Sequence, residues 1–260
     1  MTSPAACLAA EPTMPTSRPR RYDRVKRVLD VVGAATALVV GASLLAGVAL
    51  LILVTLGRPV FFRQVRPGRD GELFEMVKFR TMLEVDPARG LVTDADRLTP
   101  VGRWLRATSL DELPELWNVL RGEMSLVGPR PHLVKYLEIY TPSQARRHEV
   151  RPGITGLAQV RGRNELAWED KFAYDIEYVD NRSLRLDLRI MVETVRVVLR
   201  REGIAAPGSV TWHEFTGTPT PPDPVGASTV PADPVLATAP DGSAATFRRP
   251  RGDLAGRCRS

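Results

Sequence analysis

The dominant feature of the hydrophobic pattern is an apolar run from Val31 to Leu56, 26 positions without a charged residue. That exceeds the ~20 residues a helix needs to cross the hydrocarbon core of a bilayer. Six cations precede the run within ten residues (Arg18, Arg20, Arg21, Arg24, Lys26 and Arg27), and Arg58, Arg63, Arg66 and Arg69 follow it. Lys and Arg resist translocation, so basic flanks on both sides predict that both ends stay on the cytoplasmic face. A re-entrant helical hairpin meets that condition; a single span is the alternative. Gly41, Ser43 and Gly47 are the positions at which the helix can bend. The run is too long, and begins too far into the chain, to be a cleaved signal peptide.

After Gly57-Arg58-Pro59 the pattern changes. Val60–Gln64 and Leu73–Arg80 read as strands around the turn signal Arg66-Pro67-Gly68-Arg69-Asp70-Gly71, which predicts a β-hairpin. Lys78 and Arg80 then share a strand face, either solvated or as a grip for anions. Residues 84–100 read as a polar loop with short helical turns, and Val101–Ala107 as a short amphipathic helix with Trp104 and Leu105 on its apolar side. Trp104 and Trp117 suit a headgroup layer or a core equally. Leu133–Tyr140 is weakly helical, and Leu166–Tyr178 is an aromatic-rich helix; Asp175, Glu177 and Asp180 read as solvated charges, with a share in holding a metal as the alternative for one of them. Ser183–Arg200 is the most regular helix, with Leu184, Leu188, Met191, Val195, Val198 and Leu199 on one side and arginines between them. Such a helix lies on an anionic bilayer or packs on the domain.

The densest stretch is Thr108–Pro131, TSLDELPELWNVLRGEMSLVGPRP. Pro114 is tolerated only in the first turn of a helix, so the N-cap falls near Asp111, Glu112 or Leu113, with Asp111 at or beside it. Leu113, Leu116, Trp117 and Leu120 form the apolar face, and Arg121-Gly122 closes the helix. Asp111 and Glu112 then sit at the positive end of a helix dipole. They either cap the helix or serve as an ionised nucleophile with an assisting carboxylate. Arg130, stiffened between two prolines, suits bidentate phosphate binding or is a plain surface turn. Downstream, Arg146, Arg147 and Arg151 lead into Pro152-Gly153-Ile154-Thr155-Gly156, a glycine loop through which backbone N–H groups can approach a phosphate.

Composition narrows the partner. A net charge of +6 and a pI near 9.7, with arginine the main cation, point to an anionic ligand or surface. Cys7 and Cys258 stand far apart in polar tails, and only His132, His148 and His213 are present, so neither a disulfide nor a zinc site is expected. No nucleic-acid-binding motif appears, and a long apolar run is an awkward companion for one.

The Thr108–Pro131 run, Lys-Phe-Arg-Thr-Met at 78–82 and Arg-Pro-Gly-Ile-Thr-Gly-Leu at 151–157 together resemble the bacterial sugar transferases, over roughly Arg24 to Ile204. These are monotopic phosphoglycosyl transferases, which move a sugar phosphate from a nucleotide diphosphate sugar (a UDP-sugar) to polyprenyl phosphate of the undecaprenyl type. The resemblance implies an α+β fold: a mostly helical small catalytic domain with a short β-hairpin, attached to the membrane by a re-entrant N-terminal helix. It also implies residence at the cell membrane, with the catalytic domain on the cytoplasmic face, and the first membrane step of exopolysaccharide synthesis. Asp111 would be the nucleophile, and Glu112 would assist. Both would hold Mg²⁺, while Lys78, Arg80, Arg106, Arg130 and Arg151 would contact substrate phosphates. Members usually carry a Ser-Pro break near the middle of the apolar run, where this chain has Ala42-Ser43. The expected layout is a disordered leader (1–17), a basic flank and membrane helix (18–57), a catalytic domain (58–205) and a disordered tail (206–260). A non-catalytic basic membrane scaffold is the alternative function.

Overall fold

The computed structural model describes residues 21–162, 166–200 and 214–218; the leader and most of the expected tail lie outside these residues. The apolar run does not form one straight helix. Helices α1 (Arg21–Val40) and α2 (Ala42–Thr55) meet at Gly41 with a bend of 63°. A Cβ at Gly41 would lie 2.7 Å from the Ala37 carbonyl oxygen, so a larger residue would push against the preceding turn. No single described helix is long and apolar enough to cross a membrane; the bent pair passes that test jointly. A straight span is therefore not this chain's geometry.

Both arms of the pair are half core. Ala34 of α1 packs with Phe74, Met76, Leu116, Val119 and Met124. Val48 and Ile52 of α2 pack with Phe79 and Leu105. The outward faces leave Val39, Val40, Leu44, Leu50 and Val54 exposed.

The predicted hairpin forms. β1 (Phe61–Pro67) and β2 (Leu73–Phe79) are antiparallel, with Phe61 opposite Phe79 and Pro67 opposite Leu73. A second, parallel pair joins β3 (Ser125–Val127) to β4 (Gly153–Thr155). Here the expectation of a phosphate loop at 152–156 is corrected. The Gly153 N–H donates to the Pro129 carbonyl at 3.0 Å, and a Cβ at Gly153 would come within 2.1 Å of the Gly128 nitrogen. The glycines admit backbone against backbone, and this fixes the start of Pro129-Arg130-Pro131.

Around these lie α3 (Asp94–Arg97), α4 (Pro100–Thr108), α5 (Glu115–Arg121), α6 (Pro142–Ala145), α7 (Leu157–Arg161), α8 (Trp168–Asn181) and α9 (Leu184–Arg200). Helix α9 turns inward a different side from the one its sequence advertises. Leu186 and Ile190 face Val127 and Tyr178, and Thr194 meets Thr155 at 2.6 Å. The stripe of Leu184, Leu188, Met191, Val195 and Leu199 is left exposed.

The tail assignment is corrected at one point. Residues 214–218 dock on the domain, with Phe215 only 3% exposed. Its ring lies 5.0 Å from Phe172 and 5.4 Å from Trp168 between centroids. The Tyr136 hydroxyl accepts the Phe215 N–H at 3.1 Å. A composition argument averages over this single aromatic. Phe215→Ala removes a side chain whose burial is typically worth about 3–5 kcal/mol. We expect the 214–218 segment to be cleaved much faster in limited proteolysis mapped by mass spectrometry, with the helical core intact.

Candidate active site

Pro114 shapes the site by what it lacks. Without an N–H it cannot continue a helical ladder from Leu110. Glu112 N–H instead bonds Ser109 O (3.2 Å) and Leu113 N–H bonds Leu110 O (3.3 Å), closing a separate 3₁₀ turn over Leu110–Glu112. Helix α5 begins only at Glu115, with Pro114 as its N-cap. The expected cap at Asp111 is thus corrected: the acid pair stands one turn before a short helix. Ser109, which links α4 to this turn, has φ of 56°, a left-handed conformation uncommon for a side-chain-bearing residue. Leu110 anchors the turn in the Val48–Ile52–Leu105 cluster, which ties the acid pair directly to α2.

The two acids face different surroundings. Glu112 is gripped by Arg130 and by Lys78 Nζ at 2.9 Å. Burial alone pushes the Glu112 carboxyl upward, but the Arg130 and Lys78 charges outweigh it and hold the group well below the usual carboxylate range. Asp111 is 8% exposed, and among the described residues nothing donates a hydrogen bond to it. Burial and the Glu112 charge raise its pKa, opposed by Lys78, Arg130 and Arg106. A paired carboxylate thus stands beside an unpaired one, with cations within reach of both.

Of the expected phosphate contacts, Lys78, Arg106 and Arg130 are brought together around Asp111. Lys78 also bonds Glu115 at 3.0 Å. Arg106 Nε donates to Thr81 Oγ1 at 3.1 Å. Arg80 and Arg151 are placed elsewhere. Arg80 is buried and donates to the Leu56 and Gly57 carbonyls, each at 2.6 Å, so it caps the C-terminal end of α2. Arg151 donates to Gly122 O at 2.8 Å, at the far end of α5.

Several residues escaped the sequence reading. Glu115, 1% exposed, is a second carboxylate on Lys78, and burial raises its pKa. Its place one turn beyond Glu112 is the signal that could have found it. Arg66 lies beside Arg130, and burial together with the Arg130 charge lowers its pKa to about 10. Its contacts are Gln64 Oε1 at 2.6 Å and the Pro131 carbonyl at 3.5 Å, neither of them a carboxylate. Arg147 is buried, pairs with Asp175 at 2.6 Å, and donates to the Arg130 carbonyl at 2.6 Å. Asp175 is therefore a buried ion-pair partner, correcting its reading as a solvated charge. In sequence, Arg147 is simply one member of an Arg-Arg pair.

His148 lines the same wall, with Nδ1 2.9 Å from the Gly68 carbonyl. Burial and the Arg147 charge lower its pKa from 6.5 to about 4. The unfolded chain then takes up a proton that the folded chain resists. Stability is full above pH 6.5 and declines as pH falls toward 4, by about 3 kcal/mol at 1.36 kcal/mol per pH unit. Thermal unfolding across that window should show the decline, and His148→Gln should make it shallower, the remainder coming from His132, whose pKa burial also lowers well below 6.5.

Two hard oxygen donors at Asp111 and Glu112 fit Mg²⁺, an ion commonly held by one or two carboxylates plus substrate phosphates and water. The unpaired Asp111 carboxylate is the observation that fits. Among the described residues no group of three or more metal-ligating side chains exists, so protein alone would not complete the shell.

A half-buried cationic margin around an acid pair, carried on a turn anchored to an apolar helix pair, defines a site for anionic substrates at an apolar boundary. The sequence pattern described as bacterial sugar transferase matches residues 21–201, and the chain belongs to that family. It is an enzyme of the phosphoglycosyl transferase class. Over 194 residues it is 50% identical to the uncharacterized sugar transferase EpsL of Bacillus subtilis, covering 74% of this chain and 96% of that one. It is 47% identical over 190 residues to the UDP-glucose:undecaprenyl-phosphate glucose-1-phosphate transferase of Caulobacter vibrioides, covering 68% and 70% of the two chains. Against the UDP-galactose-lipid carrier transferase of Erwinia amylovora it is 41% identical over 199 residues, 69% of this chain but only 41% of the relative.

Proposed function

We propose that this chain transfers a sugar 1-phosphate from a UDP-sugar to undecaprenyl-type phosphate at the cytoplasmic face of the cell membrane, in exopolysaccharide synthesis. The observation that carries this reading is the buried, unpaired Asp111 carboxylate next to Glu112, which Lys78 and Arg130 hold, with the charges of Lys78, Arg130 and Arg106 acting on Asp111. An Asp111 oxygen attacks the phosphorus that bears the sugar. The bond from that phosphorus to the bridging oxygen breaks, and the nucleoside monophosphate leaves with the electron pair. An oxygen of the polyprenyl phosphate then attacks the same phosphorus and releases the Asp111 carboxylate. Asp111 and Glu112 would hold Mg²⁺, which would offset the charge of the diphosphate as a carboxylate approaches it. Arg130 and Arg106 neutralise substrate phosphate, and Arg66 adds a third guanidinium beside Arg130.

The bent α1–α2 pair enters one leaflet and returns. The exposed stripe of α9, with Leu199 77% exposed, and the exposed Trp104 and Trp117 lie against the headgroup region. This arrangement keeps Asp111 close to the lipid phosphate. Membranes containing the protein, incubated with labelled UDP-sugars, Mg²⁺ and polyprenyl phosphate, are expected to yield labelled lipid and released UMP. Membrane association with no labelled lipid from any donor would favour the scaffold alternative.

A further inference from the structure

A second cationic cleft lies between the N-terminal half of α1, the β1–β2 turn and the loop before β4. Five cations and three carboxylates line it, and none of Asp111, Glu112, Lys78, Arg106 or Arg130 is among them. Its carboxylates are already engaged. Asp23 pairs with Arg182 at 3.1 Å. Asp30 accepts from Ser125 Oγ at 2.8 Å and from the Leu126 N–H at 3.1 Å. Glu149 pairs with Arg146 at 2.9 Å. Of the cations, Lys26 is held by Asp187 at 2.7 Å.

What remains is a trio of guanidiniums. Arg27 donates to the Val119 and Leu120 carbonyls at 2.6 and 3.0 Å, and Arg151 to the Gly122 carbonyl at 2.8 Å. Both are thus pinned to the C-terminal end of α5, where carbonyl groups favour cations. Neither has a carboxylate within ion-pair distance among the described residues. A guanidinium carries five N–H donors, so most of each fork is unassigned by the protein. Arg69 lines the same cleft, with its Nε 3.1 Å from the carboxylate of the adjacent Asp70, outside hydrogen-bond geometry, and no other carboxylate within ion-pair distance among the described residues. Burial and then the charges of Arg27 and Arg69 push the Arg151 pKa down, a sign that the three converge.

We propose that Arg27, Arg69 and Arg151 form a phosphate-binding site separate from the Asp111 site, at the opposite end of α5. The ligand is a phosphate group, either free or on an anionic lipid at the membrane surface. The site does not depend on the reaction assigned to Asp111.

The test uses the full chain in nanodiscs of phosphatidylcholine alone, titrated with inorganic phosphate and followed by thermal shift and by ³¹P line broadening. Wild type and Arg130→Gln are expected to bind, whereas Arg69→Gln binds about tenfold more weakly, the scale of one charge-assisted hydrogen bond. Arg69 anchors no backbone group, so Arg69→Gln should melt with wild type in the absence of phosphate. Should it fold poorly, Arg69→Lys, which keeps the charge, replaces it and is expected to retain partial binding. Nanodiscs doped with phosphatidic acid separate the sources: loss of the phosphate response in wild type identifies the lipid headgroup, and its persistence identifies free phosphate. Equal binding by wild type and Arg69→Gln, binding lost only in Arg130→Gln, or no response at all would overturn the site.

Discussion

Asp111→Asn is expected to reduce sugar-phosphate transfer by roughly 10⁴-fold or more, the scale seen when a covalent nucleophile is removed. Incubation with donor alone should leave no phosphosugar on the protein by intact-mass measurement. Stability should move the other way. Asp111 is buried with a raised pKa, so its charged form is disfavoured in the fold, and a neutral isostere relieves that cost. The variant should therefore melt at or above wild type and remain membrane-bound. Glu112→Gln makes the contrast, because it breaks the pairing with Arg130 and Lys78 and should lower the melting temperature. Near-wild-type turnover in Asp111→Asn would place the nucleophile elsewhere.

Arg147→Met is expected to be the most destabilising single change in the domain. Arg147 and Asp175 are both buried, and removing one partner of such a pair leaves a charge in low dielectric at a cost of about 3–5 kcal/mol. Arg147 also stacks over Phe172, 5.9 Å from its centroid, so packing is lost with the charge. The double variant Arg147→Met with Asp175→Leu should recover most of that stability in a thermal melt. It should not recover activity, because Arg147 also holds the Arg130 carbonyl and thereby the backbone of the Pro-Arg-Pro clamp. A single variant within about 1 kcal/mol of wild type would show that water reaches the pair.

The hairpin and the regular helices were legible because each follows from a local rule: a turn signal between alternating runs, or an apolar repeat near 3.6. The bend was legible as a choice of small residues and became definite at Gly41, where a side chain would strike Ala37. At the acid pair, the sequence showed that Pro114 limits the helix, but not that the limit yields a separate turn. That turn depends on Leu110 finding a pocket against α2 and α4.

Tertiary structure decided which cations serve which site. Lys78 and Arg80 look equivalent on a strand, yet one meets Glu112 and the other caps a helix end. Arg130 and Arg151 look equivalent beside prolines, yet α5 separates them. Sequence by itself determined the chemistry on offer: an acid pair, a surplus of arginine, and an apolar segment flanked by charge. Only the packed chain decided the assignments, because a guanidinium on a long stem goes to whichever acceptor the fold brings within reach. That acceptor lies on an element distant along the chain, where no local pattern can announce it.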